Sequence, residues 1–298
     1  MKTDAPPTAA APARGVNIGA APVTYGQGER TPRGDYAGAR ADYTCEQTYG
    51  AYTAADHDLY RRLYERQAAQ LPGLACQEFI DAVQLLGSPT QIPRFDALSE
   101  RVYKATQWEV VAVPGLIPEE AFFSLLSQRR FPVTGWIRTP EEFDYVVEPD
   151  VFHDLFGHVP LLFEPRFADY MQAYGAGGLK ASRLEACEYL ARLYWYTVEY
   201  GLIDTPAGRR AYGAGILSSG GELRYSVTSL KPQRIAFDLD RIMRTRYTID
   251  SYQASYFVID SFQQLIEATA PDFTPVYARV AASRVLEAGD SAPGDKPR

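Results

Sequence analysis

Two of the three histidines in this 298-residue chain lie five positions apart, at His153 and His158. An acid, Glu199, follows farther along, inside the aromatic stretch 194–200. Two imidazoles and one carboxylate form the ligand set of a 2-His-1-carboxylate iron(II) site, which leaves coordination positions open for oxygen and a substrate. A metal would also offset the cost of burying a bare carboxylate among aromatic rings. The third histidine, His57, lies in the polar start of a predicted helix, and we expect it to be structural.

The spacing of the two histidines differs from that of a zinc protease. In an α-helix, residues five apart differ by about 140° in direction, so they do not share one face. Gly157 and Pro160 predict that the helix ends near His158, where the chain turns the second imidazole back toward the first. The zinc-protease pattern His-Glu-x-x-His is one residue shorter and has Glu where Asp154 stands here. A His₂Glu metal-dependent hydrolase and a non-catalytic metal or amino-acid binder are the alternatives from other functional classes.

The composition excludes several classes of partner. Apolar residues make up 46% of the sequence, yet no run is long enough to cross a membrane. A net charge of −7 argues against binding to nucleic acid or to an anionic membrane surface. The N-terminus lacks the apolar core of a secretory signal. Cys45, Cys76 and Cys187 are widely spaced, so we expect free thiols and a cytoplasmic location.

The chain divides into one domain and two loose ends. Residues 1–42 are rich in Ala, Pro, Gly and Arg without a hydrophobic period, which predicts a disordered leader. Residues 287–298 have a similar composition and are predicted to form a disordered tail. Between them, residues 43–286 contain no linker, so we expect a single catalytic domain.

Helical patterns dominate this domain and predict a mainly α fold with small strands at its edge. An amphipathic helix begins near Asp56, and helix-start signals occur at Pro118 and Thr139. Further helices are predicted over 75–86 and 95–105, and the longest periodic segment is 182–202. Strands are predicted over 108–113, 234–237 and 246–249.

Three segments, 148–160, 194–202 and 212–222, together resemble the pterin-dependent aromatic amino acid hydroxylases. The similarity runs from about residue 52 to about residue 266, in the order and spacing of that family, and is greatest to its short bacterial members that act on phenylalanine. It implies a helical basket with small peripheral strands.

The resemblance assigns roles to individual residues. It implies that His153, His158 and Glu199 bind iron(II), and that Arg138 binds the substrate carboxylate through its guanidinium fork. Glu222 matches a carboxylate near the iron ligands. Positions that line the substrate are Tyr145, Pro149, Trp195, Gly215, Ser218 and Ser219. Positions that face the pterin are Gly115, Leu116, Ile117, Phe122, Asp154 and Tyr194.

The implied activity is hydroxylation of L-phenylalanine to L-tyrosine by O₂, with iron(II) and a tetrahydropterin as cofactors. The same chemistry on tryptophan or tyrosine is the nearest alternative. Asp154 and Tyr200 replace Glu and Phe of the larger animal enzymes, which affects the pterin side and the pocket wall. Because the chain lacks the C-terminal oligomerisation helix of those enzymes, the resemblance also implies a monomer.

Overall fold

Helices form most of the regular structure in the computed structural model, which describes residues 33–249 and 251–298. The mainly α prediction is confirmed, and none of the helices in these ranges is long and apolar enough to cross a membrane. Within the same ranges the α-helices are α1 (Ala54–Ala68), α2 (Gln77–Val83), α3 (Phe95–Thr106), α4 (Glu119–Ser127), α5 (Pro165–Arg183), α6 (Cys187–Tyr194), α7 (Ala214–Ser218), α8 (Glu222–Thr228), α9 (Leu239–Met243), α10 (Phe262–Thr269) and α11 (Thr274–Ala281).

Local signals in the sequence account for several helix starts. Thr53 caps α1 through a reciprocal hydrogen-bond pair with Asp56. Pro118 precedes α4, whose first turn contains two acids that face the positive end of the helix dipole. Thr139 also forms a capping box, although only a short 3₁₀ turn, Pro140–Glu142, follows it.

Two π-helical turns complete the helical framework. The first π turn spans His153–His158 and continues into a 3₁₀ segment, Val159–Phe163. The second π turn spans Trp195–Glu199 and extends α6. The π turn ends at His158, near the predicted helix end, but the chain continues as a 3₁₀ segment and does not leave the helical path. Gly157 instead allows α7 to approach closely, because a Cβ there would lie 2.9 Å from the Ala214 carbonyl oxygen.

A parallel pair of strands, β1 (Glu109–Val113) and β2 (Arg130–Thr134), brings two loops together. Parallel strands end at the same edge, so residues 114–117 and 135–138 lie side by side. The structure confirms the strand predicted over 108–113. Strand β2 escaped prediction because Pro132 lies at its centre, and proline is tolerated only where a strand has an unpaired edge.

A second sheet has the order β4-β3-β6-β5. Its strands are β3 (Leu202–Thr205), β4 (Gly208–Ala211), β5 (Gln233–Ala236) and β6 (Ser255–Ile259). The strand predicted over 234–237 is confirmed, whereas the one predicted over 246–249 is wrong. That segment is held by single contacts, such as the bond from Arg246 N to Leu286 O, and β6 takes the place beside β5.

The longest helix is α5, and not the segment 182–202 as predicted. Residues 184–186 interrupt that segment, and Glu185 has a positive φ of 53°. Helix α5 escaped prediction because it contains three glycines, which disfavour helices in isolation. Two of them permit close packing on α4: a Cβ at Gly175 would lie 2.4 Å from Ser127 N, and one at Gly178 would lie 2.1 Å from the Phe123 ring.

Both predicted loose ends make specific contacts where the structure describes them. Residues 1–32 lie outside the described residues. The rest of the predicted leader contacts the domain: Arg33 pairs with Glu142, and the Tyr36 hydroxyl donates to the Leu116 carbonyl at 2.9 Å. The predicted tail packs too, with backbone bonds from Ala236 to Lys296 and from Arg298 to Arg234. These bonds satisfy the outer edge of β5, which composition alone does not indicate.

The contact between α4 and α5 makes a stability prediction. Gly178→Ala is expected to lower the free energy of unfolding by about 1–3 kcal/mol, because the new methyl group overlaps the Phe123 ring. Gly177→Ala is the matched control, since nothing lies within 4 Å of its Cβ position, and it should stabilise the helix by about 0.4–1 kcal/mol. Urea unfolding of both variants measures the difference. Equal effects would show that helix propensity, and not packing, governs this contact.

Candidate metal centre

Three side-chain donors from the two π turns converge on one point. His153 Nε2 and His158 Nε2 lie 3.1 Å apart. Glu199 places one carboxylate oxygen 3.1 Å from His158 Nε2 and the other 3.7 Å from His153 Nε2. The three residues predicted as metal ligands are therefore brought together, and all are largely buried.

The π conformation explains the five-residue spacing of the histidines. Hydrogen bonds in a π turn join residues i and i+5, so residues five apart become neighbours along the helix axis. In an α-helix the same two side chains would diverge. The second π turn also ends on a ligand: its closing bond, from Tyr200 N to Trp195 O, is 2.8 Å long and follows directly after Glu199.

Burial and mutual attraction set the protonation states of the cluster, and a bound cation would take the place of the proton that Glu199 stabilises on His158. Burial lowers the pKa of His153 to about 4, although Glu199 opposes this shift, so its imidazole is neutral as a metal ligand must be. Burial also acts on His158 and Glu199, but their mutual attraction prevails and raises the His158 pKa while lowering that of Glu199. The Gly215 backbone N–H also helps to lower the pKa of Glu199.

Ser218 fixes the orientation of the first histidine. His153 Nδ1 lies 2.9 Å from Ser218 Oγ, which in turn donates to the Ala214 carbonyl at 2.8 Å. Because that serine proton is already used, Nδ1–H donates to Ser218 and the Nε2 lone pair points at the cluster. Such a partner on the far nitrogen sets tautomer and ring orientation in metal sites.

The donor separations fit a single first-row metal ion. Metal bonds to nitrogen and oxygen are about 2.0–2.2 Å long, so donors at right angles around one ion lie about 3 Å apart. Asp154 also lies within reach, since its carboxylate forms a group with His153 and His158 in which all ligand atoms lie within 4.8 Å. Glu199 stays the predicted third ligand, because the Asp154 Oδ2 atom already accepts a 2.7 Å hydrogen bond from Thr134 N. Burial raises the pKa of Asp154 to about 7, which further weakens it as an anionic ligand.

Arg138, predicted to bind a substrate carboxylate, is buried against Asp150. Its Nε and Nη2 each donate to this aspartate at 2.8 Å, and its backbone N donates at 2.9 Å. A guanidinium has five N–H donors, so the Nη1–Nη2 edge remains available for a second carboxylate. Asp150 also accepts a bond from His153 N at 3.0 Å, and so it joins the arginine to the first metal ligand.

The pterin-side predictions concern two places in the structure. The Phe122 ring packs edge-on against Tyr194 at 5.8 Å, and Tyr194 lies 6.2 Å from the His158 ring. The loop with Gly115, Leu116 and Ile117 follows β1 at the edge where Thr134 binds Asp154. These positions share one side of the cluster, and their roles in pterin binding stay predictions.

The substrate-side predictions are more scattered. Trp195 opens the second π turn, and the Tyr200 ring lies beside both Trp195 and Gly215. Pro149 directly precedes the buried Asp150. Tyr145 lies at the surface, where its side chain is 57% exposed and its hydroxyl donates to the Ile249 carbonyl at 3.1 Å. Ser219 and Glu222 bind neighbouring protein groups. The Ser219 hydroxyl oxygen accepts a hydrogen bond from Glu222 N, and the Glu222 carboxylate accepts hydrogen bonds from Gln253 N and from the Tyr256 hydroxyl.

Sequence reasoning missed Asp150 as a functional residue. Arg138 forms its ion pair with Asp150, and not with Glu141 or Glu142, the acids that follow it most closely in the sequence. The one local signal was the position of Asp150, three residues before the first predicted ligand. Its partner Arg138 lies twelve residues away in the sequence, and neither the helical nor the strand period predicts a contact at that separation.

The Ser218 contact predicts a loss of metal affinity. Ser218→Ala should weaken binding of Fe(II) or Co(II) by about 10- to 100-fold, because His153 loses the partner that orients it. Ser226→Ala is the matched control: this buried serine also bonds a carbonyl of its own helix but lies outside the cluster. Metal titration by calorimetry measures both. Unchanged affinity in Ser218→Ala would contradict the orienting role.

Comparison with known proteins identifies the family of this chain. Residues 25–276 match the family described as biopterin-dependent aromatic amino acid hydroxylase. The phenylalanine-4-hydroxylase of Ralstonia nicotianae is 58% identical over 257 residues, covering 86% of this chain and 82% of the relative. That of Chromobacterium violaceum is 56% identical over 255 residues, covering 85% and 86%. The crystal structure of phenylalanine hydroxylase from C. violaceum bound to cobalt has a TM-score of 0.86 at 55% identity and covers 87% of this chain and 95% of that chain. The chain therefore belongs to the biopterin-dependent aromatic amino acid hydroxylases.

Proposed function

We propose that this hydroxylase converts L-phenylalanine to L-tyrosine with O₂, iron(II) and a tetrahydropterin. The observation that carries the proposal is the convergence of His153, His158 and Glu199 at separations of 3.1–3.7 Å. This donor set is typical of iron(II) oxygenases. Phenylalanine is supported as substrate by the relatives that are 58% and 56% identical, both named phenylalanine-4-hydroxylase.

The residues of this chain bind and position the reactants. His153, His158 and Glu199 would hold the iron(II), and a set of two imidazoles and one carboxylate would leave it coordination positions for oxygen. Arg138 offers its Nη1–Nη2 edge to the amino-acid carboxylate, while Asp150 prevents the guanidinium from rotating. Bound iron(II) and reduced pterin would supply the oxygen activation and the two electrons that the second oxygen atom of O₂ requires.

The walls of the site exclude water. Phe122, Phe131 and Tyr194 are buried, and the Phe131 and Tyr194 rings lie 5.2 and 6.2 Å from the His158 ring. A dry site strengthens the pull of Arg138 on the substrate carboxylate, because charges interact more strongly at low dielectric. We also propose a cytoplasmic location, which the three free cysteines support. That the enzyme acts as a monomer stays a prediction.

Oxygen consumption tests the proposed activity. The iron-loaded protein should consume O₂ and form tyrosine when it receives phenylalanine and tetrahydropterin, and omission of either should stop the reaction. Tryptophan and tyrosine, supplied in parallel, test the alternative substrates. Product from tryptophan alone would overturn the assignment to phenylalanine, and no oxygen uptake with any of the three would overturn the activity.

The Arg138–Asp150 pair makes a second prediction. Arg138→Lys should raise the KM for phenylalanine roughly ten- to hundredfold, because lysine cannot bind Asp150 and a second carboxylate through two planar edges. Arg130→Lys is the matched control on the preceding strand, where the arginine forms an ordinary surface pair with Asp42. Steady-state kinetics at saturating pterin gives both values. A KM close to that of the unaltered enzyme in Arg138→Lys would rule out the carboxylate role.

A further inference from the structure

Gln253 is a buried polar residue outside the set of predicted site residues. It is 1% exposed and lies in the segment that leads into β6. Its Oε1 accepts a 3.0 Å hydrogen bond from the Trp195 indole N–H. Its Nε2 donates to the carbonyls of Thr248, at 2.9 Å, and Ser251, at 3.3 Å. A buried amide with this many partners is costly to leave unpaired, so each bond constrains its neighbour.

The backbone of Gln253 is itself anchored. Its N–H donates to the Glu222 carboxylate on α8 at 3.0 Å. The same carboxylate oxygen accepts the Tyr256 hydroxyl at 2.6 Å. The Gln253 backbone is therefore anchored by Glu222 of α8, which also binds Tyr256 of β6. The Gln253 side-chain amide binds Trp195. A polar network with every member satisfied specifies one arrangement of the groups it joins.

Trp195 is the other end of this connection. It is the first residue of the second π turn, whose last residue is Glu199. Its ring stacks on Tyr247, with centroids 4.0 Å apart and planes 8° apart, and lies 4.6 Å from the Tyr200 ring. Tyr247 directly precedes Thr248, whose carbonyl Gln253 binds. One glutamine therefore constrains both members of the aromatic stack.

We propose that Gln253 is a positioning residue for substrate recognition, which holds Trp195 and Tyr247 as a rigid wall for the aromatic side chain of the substrate. This inference rests on the proposed function and on the predicted place of Trp195 in the substrate pocket. Stacking alone fixes the distance between two rings but lets them slide, whereas the indole N–H bond also fixes the rotation of Trp195. A wall fixed before binding spares the substrate the entropic cost of ordering it.

Two substitutions remove the bond from opposite ends. Gln253→Met keeps the approximate volume and loses all three side-chain bonds. Trp195→Phe keeps an aromatic ring and loses the N–H donor together with part of the indole ring. Each should raise the KM for phenylalanine by roughly tenfold, and Gln253→Met should leave kcat and the pterin KM nearly unchanged. The double variant should also show a rise of roughly tenfold, because residues that act through one bond are not additive.

Tyr256→Phe is the matched control. It removes an equally buried hydrogen bond from the same network, at Glu222, without touching Trp195. It should lower the thermal midpoint but leave the KM for phenylalanine and the near-UV circular dichroism of the Trp195–Tyr247 stack unchanged. Gln253→Met should weaken that dichroism signal in the absence of substrate.

The outcomes separate this inference from the proposed function. If Gln253→Met lowers only the thermal midpoint, like Tyr256→Phe, and retains both KM and the dichroism signal, the glutamine is merely structural and the inference is overturned. A roughly hundredfold KM rise in the double variant would also overturn it, since the two residues would then act independently. If the unaltered enzyme does not hydroxylate phenylalanine, the proposed function fails, and the dichroism comparison still decides whether Gln253 orders the stack.

Discussion

The site depends on two π-helical turns, which bring three ligand side chains to one point. A π turn is rare because its hydrogen bonds are less favourable than those of an α-helix, and it occurs mostly at functional sites. Here the first turn aligns His153 with His158, and the second ends on Glu199. Packing must compensate for this backbone geometry. The first turn is buried: its Phe156 ring packs against Tyr64 and Phe79, and Gly157 permits the close approach of α7.

Two buried aspartates, Asp150 and Asp154, connect the cluster to the segments predicted to bind the substrate and the pterin. Asp150 accepts hydrogen bonds from both the Arg138 guanidinium and the His153 backbone, so the arginine predicted to bind the substrate and a predicted metal ligand share one buried anchor. Asp154, the next residue after His153, bonds the end of β2. A buried ion pair contributes little net stability. The pair between Arg138 and Asp150 matters here for geometry, because it fixes the position of Arg138 relative to His153.

Sequence reasoning singled out three side chains that the structure brings together, because residue type and rarity mark them: two of the three histidines lie together, and one acid lies in an aromatic segment. It missed the geometry that joins them, since the α-helical period does not describe a π turn. It placed the longest helix wrongly because the glycines of α5 are explained only by α4, a contact between distant segments. The roles of Asp150 and Gln253 depend on partners 12 and 58 residues away, and no local pattern encodes such pairs.

The central claim is that Glu199, and not Asp154, completes the metal site with the two histidines. Anomalous diffraction at the iron edge, from crystals reconstituted anaerobically with Fe(II), tests it most directly. The account predicts one peak about 2.0–2.3 Å from His153 Nε2, from His158 Nε2 and from a Glu199 carboxylate oxygen. A peak bonded to Asp154, with Glu199 beyond bonding distance, would contradict it.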